Sequence, residues 1–212
     1  MLQIYSHPYS PIQENSYIVY NENKEAIIID PGCYDDAEKE HFAKFITDNN
    51  LTVKHLLLTH CHLDHVFGLA WAAQKYKLIP QYHPLEVDVL EAAAVSGLMY
   101  SLPFVNYDGA YNALYEGLQI KLGNDILTLM HLPGHTQGSI GFYCAAQKFV
   151  IAGDVLFYES IGRTDLPGGN MDTLISTIKQ KLFKLPAETK VYNGHGKPTT
   201  IGHEIKHNPF LK

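Results

Sequence analysis

Thr59-His60-Cys61-His62-Leu63-Asp64-His65 constrains this chain more than any other stretch, because it crowds three imidazoles and a carboxylate into the turn between two regular elements. The apolar run Val53 to Leu58 before it reads as a buried strand. After it, Val66, Leu69, Ala70 and Ala73 fall at i, i+3, i+4 and i+7, the stripe of a helix. Near-extended backbone at His60 and His62 points both rings to one side, where they can share an ion, while Asp64 and His65 in the first helical turn face a slightly different point. Two adjacent metal positions follow. Zinc takes about four ligands, so this turn alone completes neither. Asp64 has a second reading as the N-cap of the helix.

The missing ligands must come from elsewhere. Three further apolar runs end in a histidine or aspartate beside small or turn-forming residues: Ile126 to Leu132 leads into Pro133-Gly134-His135-Thr136, Phe149 to Ala152 into Gly153-Asp154, and Val191 to Asn193 into Gly194-His195-Gly196. Such neighbours let the backbone bend sharply and bring a ligand close. Singly, each is an ordinary turn residue; their joint occurrence after strands points to one centre. Cys61 should face away from His60 and His62 on extended backbone, as a buried small residue.

Composition bounds the rest. With 212 residues, 46% of them hydrophobic, and no linker-like, charged or repetitive tract, the chain is expected to form a single domain over residues 1–212. The balance of 16 Lys+Arg against 22 Asp+Glu, without a basic cluster, argues against a nucleic-acid surface. No apolar run approaches the roughly 18 residues of a membrane span, and the N-terminus lacks the pattern of a signal peptide. Three cysteines at no framework spacing fit a reducing compartment, so the expected location is cytoplasmic. Oligomeric state is not legible.

Leu2 to Ser6, Ser16 to Tyr20 and Ala26 to Asp30 read as opening antiparallel strands. Helices are expected over Asp35 to Asn49 (stripe Phe42, Phe45, Ile46), Pro84 to Gly97 (Val87, Leu90, Ala94, Leu98) and Asn170 to Leu182 (Met171, Leu174, Ile175, Ile178), each stripe facing a core. Arg163, the sole arginine, lies in Gly162-Arg163-Thr164-Asp165. Its planar fork suits either a substrate carboxylate or a loop-bracing pair with Asp165. The aromatic segment Tyr100, Phe104, Tyr107, Tyr111, Tyr115 reads as a roof over the site, a subunit contact, or satellite core under a long loop.

The ordered set His60, His62, Asp64, His65, His135, Asp154, His195 resembles the metallo-β-lactamase superfamily motif by motif. Asp30-Pro31-Gly32, Gly153-Asp154-Val155-Leu156-Phe157 and Gly194-His195-Gly196-Lys197-Pro198 extend the likeness to the short glyoxalase II-like branch. The resemblance covers residues 2–211. It implies an α/β fold of the αββα four-layer type, with His60, His62 and His135 on one metal, Asp64, His65 and His195 on the other, and Asp154 between them. It implies two divalent ions, zinc first, with iron or manganese as alternatives. An aspartate at 154 and a histidine at 65 separate the chain from the β-lactamases proper. Classical glyoxalase II enzymes continue into a helical glutathione-binding domain; only residues 196–212 follow His195, so that domain is expected to be missing.

The reaction implied is hydrolysis of a small glutathione-linked thioester, acylglutathione being the branch's substrate class. A hydroxide shared by two ions attacks the carbonyl, Asp64 and Asp154 orient it, and a thiolate leaves with little acid help. An amide or alkyl ester would need a proton donor, for which His203 or a tyrosine is available. The alternatives on the same scaffold are a mononuclear Fe(II) persulfide dioxygenase, whose relatives carry a similar Gly-Arg-Thr-Asp loop, and a lactonase or other ester hydrolase.

Overall fold

Both faces of the central strands are apolar, and the layering follows from that. A computed structural model describes residues 1–212. The first sheet holds β1 (Gln3–Tyr9), β2 (Glu14–Tyr20), β3 (Glu25–Ile29), β4 (Thr52–Leu57), β5 (Gln81–Tyr82) and β6 (Asn112–Ala113) in that spatial order. The second begins with β7 (Gln119–Leu122), β8 (Asp125–His131), β9 (Ile140–Cys144) and β10 (Phe149–Ile151). A separate hairpin, β11 (Leu156–Phe157) and β12 (Ser160–Ile161), follows. Then β13 (Lys190–Tyr192) and β14 (Thr199–Thr200) complete the second sheet in the order β14-β13-β10-β9-β8-β7.

Successive side chains on a strand point to opposite faces. Tyr17, Val19, Ile27, Ile29 and Leu57 therefore meet Leu129, Phe142 and Ile151 between the sheets. On the outer side of the first sheet, Ile18, Ile28 and Leu56 pack on α1 (Asp36–Asp48), α3 (Leu69–Tyr76) and α4 (Val87–Met99), which follow the one-turn α2 (Leu63–Val66). On the outer side of the second, Val150 and Val191 pack on α5 (Met171–Gln180) and α6 (Ile201–His207). The architecture is helix, sheet, sheet, helix, as the resemblance implies. The helix starts are locally coded: Asp35 accepts from the Glu38 amide and Asn170 from the Thr173 amide.

Three expectations need correction. The helix after the His/Asp turn is two helices, broken at Phe67-Gly68, where the Gly68 amide donates to the Pro31 carbonyl at 2.8 Å and a side chain would collide with Cys33. Asp64 is not an N-cap; His62 takes that place, without a side-chain cap bond, and Asp64 turns into the site. In α4 the expected stripe holds at Val87 and Leu90 and then shifts: the core face continues through Ala93 and Gly97 rather than Ala94 and Leu98, and Leu98 is 67% exposed. The helix is apolar nearly all round, so periodicity could not say which face turns inward. The aromatic segment divides: Phe104, Tyr107 and Tyr111 pack on the outer core, Tyr100 lines the site cavity, and Tyr115 stays half-exposed against His83.

Candidate metal centre

Strand direction gathers the site. β10 runs parallel to β13 and, through two antiparallel pairings by way of β9, parallel to β8, so all three end at one edge of the second sheet. His135 follows β8, Asp154 follows β10 and His195 follows β13. In the first sheet β3 and β4 are parallel and deliver Asp30 and the His60–His65 turn to one edge, while antiparallel β2 begins there with Glu14. An isolated bridge between Glu14 and His195 joins the two edges. All seven residues singled out from the sequence meet here.

They form overlapping groups: donor atoms of His60, His62 and His135 lie within 4.8 Å of one another, as do those of Asp64, His65 and His195, and those of His60, His65 and Asp154. His195 Nε2 is 3.1 Å from Asp64 Oδ2 and 3.5 Å from Asp154 Oδ2. Cys61 is buried in the core, away from this centre.

Hydrogen bonds behind the rings set which nitrogen faces inward. His135 Nδ1 donates to the Arg163 carbonyl at 2.8 Å, which leaves Nε2 as a lone pair. Thr59 Oγ1 donates to Asp30 Oδ2 at 2.6 Å, so it accepts from His60 Nδ1 at 3.1 Å, and His60 Nε2 is also a lone pair. Asp30 accepts from His65 Nδ1 at 3.0 Å as well. His60 Nε2 and His135 Nε2 then face each other at 3.2 Å, lone pair to lone pair, a contact that a shared cation relieves. His65 Nε2 and Asp154 Oδ1 are buried with no hydrogen-bond partner. A donor set of imidazoles and carboxylates with orphaned inward atoms fits divalent metal ions.

Electrostatics divides the centre. Burial, then the neighbouring imidazoles, holds His60 well below its ordinary pKa and His62 down to about 3, so both rings are neutral. Burial also lowers His135. Burial opposes charge on His65 and His195 too, yet the carboxylates of Asp64 and Asp154 prevail, holding His65 well above the usual range and His195 up at about 10. Asp154 is correspondingly held well below a normal carboxylate by His65 and His195, against the opposing effect of burial.

Two buried carboxylates escaped the sequence reading. Glu14 accepts from Ser16 Oγ at 2.9 Å, lies 3.7 Å from His65 Nδ1, and burial pushes its carboxyl up. Glu86 accepts from the Cys61 amide at 2.8 Å, the Gly138 amide at 2.9 Å and Thr136 Oγ1 at 2.5 Å, so it ties the two histidine-bearing loops to the start of α4. Asp30 had a signal in Asp30-Pro31-Gly32; Glu14 and Glu86 had none, since their partners are distant in sequence. A cavity of about 900 Å³ opens on the centre, bounded by α4, Leu63 and the loop that carries Arg163. Arg163 forks onto Asp165 through Nε at 2.7 Å and Nη2 at 2.8 Å.

Comparison with known proteins agrees with this geometry. The profile of the metallo-beta-lactamase superfamily matches residues 9–195. Hydroxyacylglutathione hydrolase GloC of Haemophilus influenzae is 39% identical over 96% of this chain and 95% of its own length. The crystal structure of BLEG-1 B3 metallo-beta-lactamase superposes with a TM-score of 0.90 at 36% identity, over 99% of this chain and 100% of that one. That of TTHA1623 in a di-iron-bound form gives 0.88 at 35%, over 98% and 100%.

Proposed function

Because the chain belongs to the metallo-β-lactamase superfamily, we propose that it is a hydrolase working with two divalent metal ions and that its substrate is a small thioester of the acylglutathione type. The observation that carries this is the convergence of seven donors on overlapping centres, with inward nitrogens left as lone pairs by the bonds behind them. His60, His62 and His135 would hold one ion, Asp64, His65 and His195 the other, and Asp154 would lie between them. Ions so held supply acidification of water and polarisation of a carbonyl.

The chain's own residues do the rest. Asp30 and the Arg163 carbonyl fix the ring orientations of His60, His65 and His135. Asp64 and Asp154, both ionised, orient the attacking water by accepting its hydrogen. The water gives up its protons to solvent as its oxygen forms the new C–O bond, the C–S bond breaks, and that bond's electron pair leaves on sulfur, which needs little protonation because a thiol has a pKa of about 8.5. His203, weighed as an acid, lies outside the cavity lining and is paired with Glu159 at 3.0 Å. The likeness to the Haemophilus hydroxyacylglutathione hydrolase supports a glutathione thioester; the likeness to the BLEG-1 metallo-beta-lactamase makes a β-lactam the second substrate to assay.

The test is metal analysis joined to anaerobic turnover. Protein purified without added metal should carry close to two divalent ions per chain and hydrolyse an acylglutathione without oxygen. One iron per chain, with oxygen consumed on glutathione persulfide and no thioester cleavage, would make it a dioxygenase instead.

A further inference from the structure

Besides the stripe it buries in the core, α4 turns a second one to the site. Leu85, Asp88, Val89, Ala92 and Ser96 recur at i, i+3, i+4, i+7 and i+11 and all line the cavity, which makes a helix-long wall beside the metal ligands. Ala92 and Ser96 are too short to fill the space before them. A volume of about 900 Å³ stays open, at the upper end of the roughly 300–1,000 Å³ typical of sites for whole small molecules. Leu63, between His62 and Asp64, lines the same cavity, so apolar surface reaches the reacting centre itself.

Charge sorts what can lie there. The cavity carries the carboxylates of Asp64, Asp88 and Asp154 and one permanent cation, Arg163, whose fork already holds Asp165. A peptide thiol bearing two carboxylates and an ammonium gains nothing from Val89 and Ala92 and is confined to the mouth near Arg163. The acyl group is what remains for the wall. Resting on the thioester reading above, we infer that the α4 wall is an acyl-binding arm built for an extended apolar acyl chain rather than for a short hydroxyacyl group.

Two measurements on the zinc-loaded protein test this. In the first, acetyl-, butanoyl- and hexanoyl-glutathione are compared as substrates. With each methylene about half buried, kcat/KM should rise about 2-fold per carbon, at least 10-fold from acetyl to hexanoyl. Ala92→Asp should collapse the hexanoyl-to-acetyl ratio toward unity, whereas Val95→Asp on the exposed face should preserve it. In the second, binding of acetate, butanoate and hexanoate is followed by calorimetry, which needs no turnover. Affinity that does not grow with chain length would overturn the acyl arm, and an Ala92→Asp ratio equal to that of the native protein would overturn its placement on α4. Graded binding without cleavage of any thioester would instead remove the thioester reading and leave the arm standing for another carbonyl compound.

Discussion

At the scale of single residues, Asp154 and Arg163 occupy opposite ends of one loop system and should fail in opposite ways. Asp154 contacts donors of both proposed ion positions, with His135 Nε2 3.7 Å from Oδ2 and His65 Nε2 3.5 Å from Oδ1. Asp154→Ala should therefore lower metal content at both positions and abolish turnover with the fold retained. His195→Ala should cost one ion only, and equal losses in the two variants by metal analysis would remove the shared role. Arg163 is half-exposed, and an exposed ion pair contributes at most about 1 kcal/mol, so its link to Asp165 is a weak brace. Arg163→Lys keeps the charge and loses the fork. It should raise KM for a glutathione thioester roughly 10-fold, about 1.4 kcal/mol, with metal content and Tm unchanged. A lower Tm with KM intact would mean that the residue serves the loop alone.

At the scale of elements, what the sequence revealed and what it hid follow from range. The His60–His65 turn, His135, Asp154 and His195 were legible as candidates because each sits directly after an apolar run, a pattern local to a few residues. Glu86 was not, because its partners lie 25 residues away at Cys61 and 52 away at Gly138. The inward face of α4 was illegible for another reason: it buries one stripe in the core and turns a second to the cavity, so no single stripe stands out. The opening strands and the starts of the helices at Asp35 and Asn170 were read to within a few residues, since turns and helix starts are local chemistry. Glu86 is the joint between α4 and both histidine loops. Removing it in Glu86→Ala leaves the buried Cys61 and Gly138 amides without their acceptor, which should cost about 3 kcal/mol and weaken metal binding roughly 10-fold or more. Glu86→Gln keeps one acceptor oxygen and should lose less on both counts. Unchanged denaturation midpoints and metal affinity in the alanine variant would show the joint to be incidental.

At the scale of the whole molecule, the centre joins the two sheets, with the His60–His65 turn supplied by the first and His135, Asp154 and His195 by the second. Metal bound there should act as a clamp between layers as well as a reagent. At metal concentrations 1,000-fold above Kd a single site adds about 4 kcal/mol, or roughly 10 °C in Tm for a chain of this size. The size of that clamp should depend on pH, and the sign can be worked out. Without metal, His195 is held up at about 10 against an ordinary 6.5, and His65 is raised in the same direction, by the carboxylates of Asp64 and Asp154. Their protonated pairing stabilises the metal-free fold fully below pH 6.5 and is lost as pH rises toward about 10. Metal must displace those protons, so the loaded form behaves oppositely and weakens as pH falls. The gap in Tm between loaded and chelator-treated protein should therefore widen from pH 6 to pH 9, and calorimetry in buffers of different ionisation heat should show protons released as metal binds at pH 7. A gap that stays constant across this range, or binding without proton release, would mean that His65 and His195 are not the groups metal displaces, and the second ion position would have to be withdrawn.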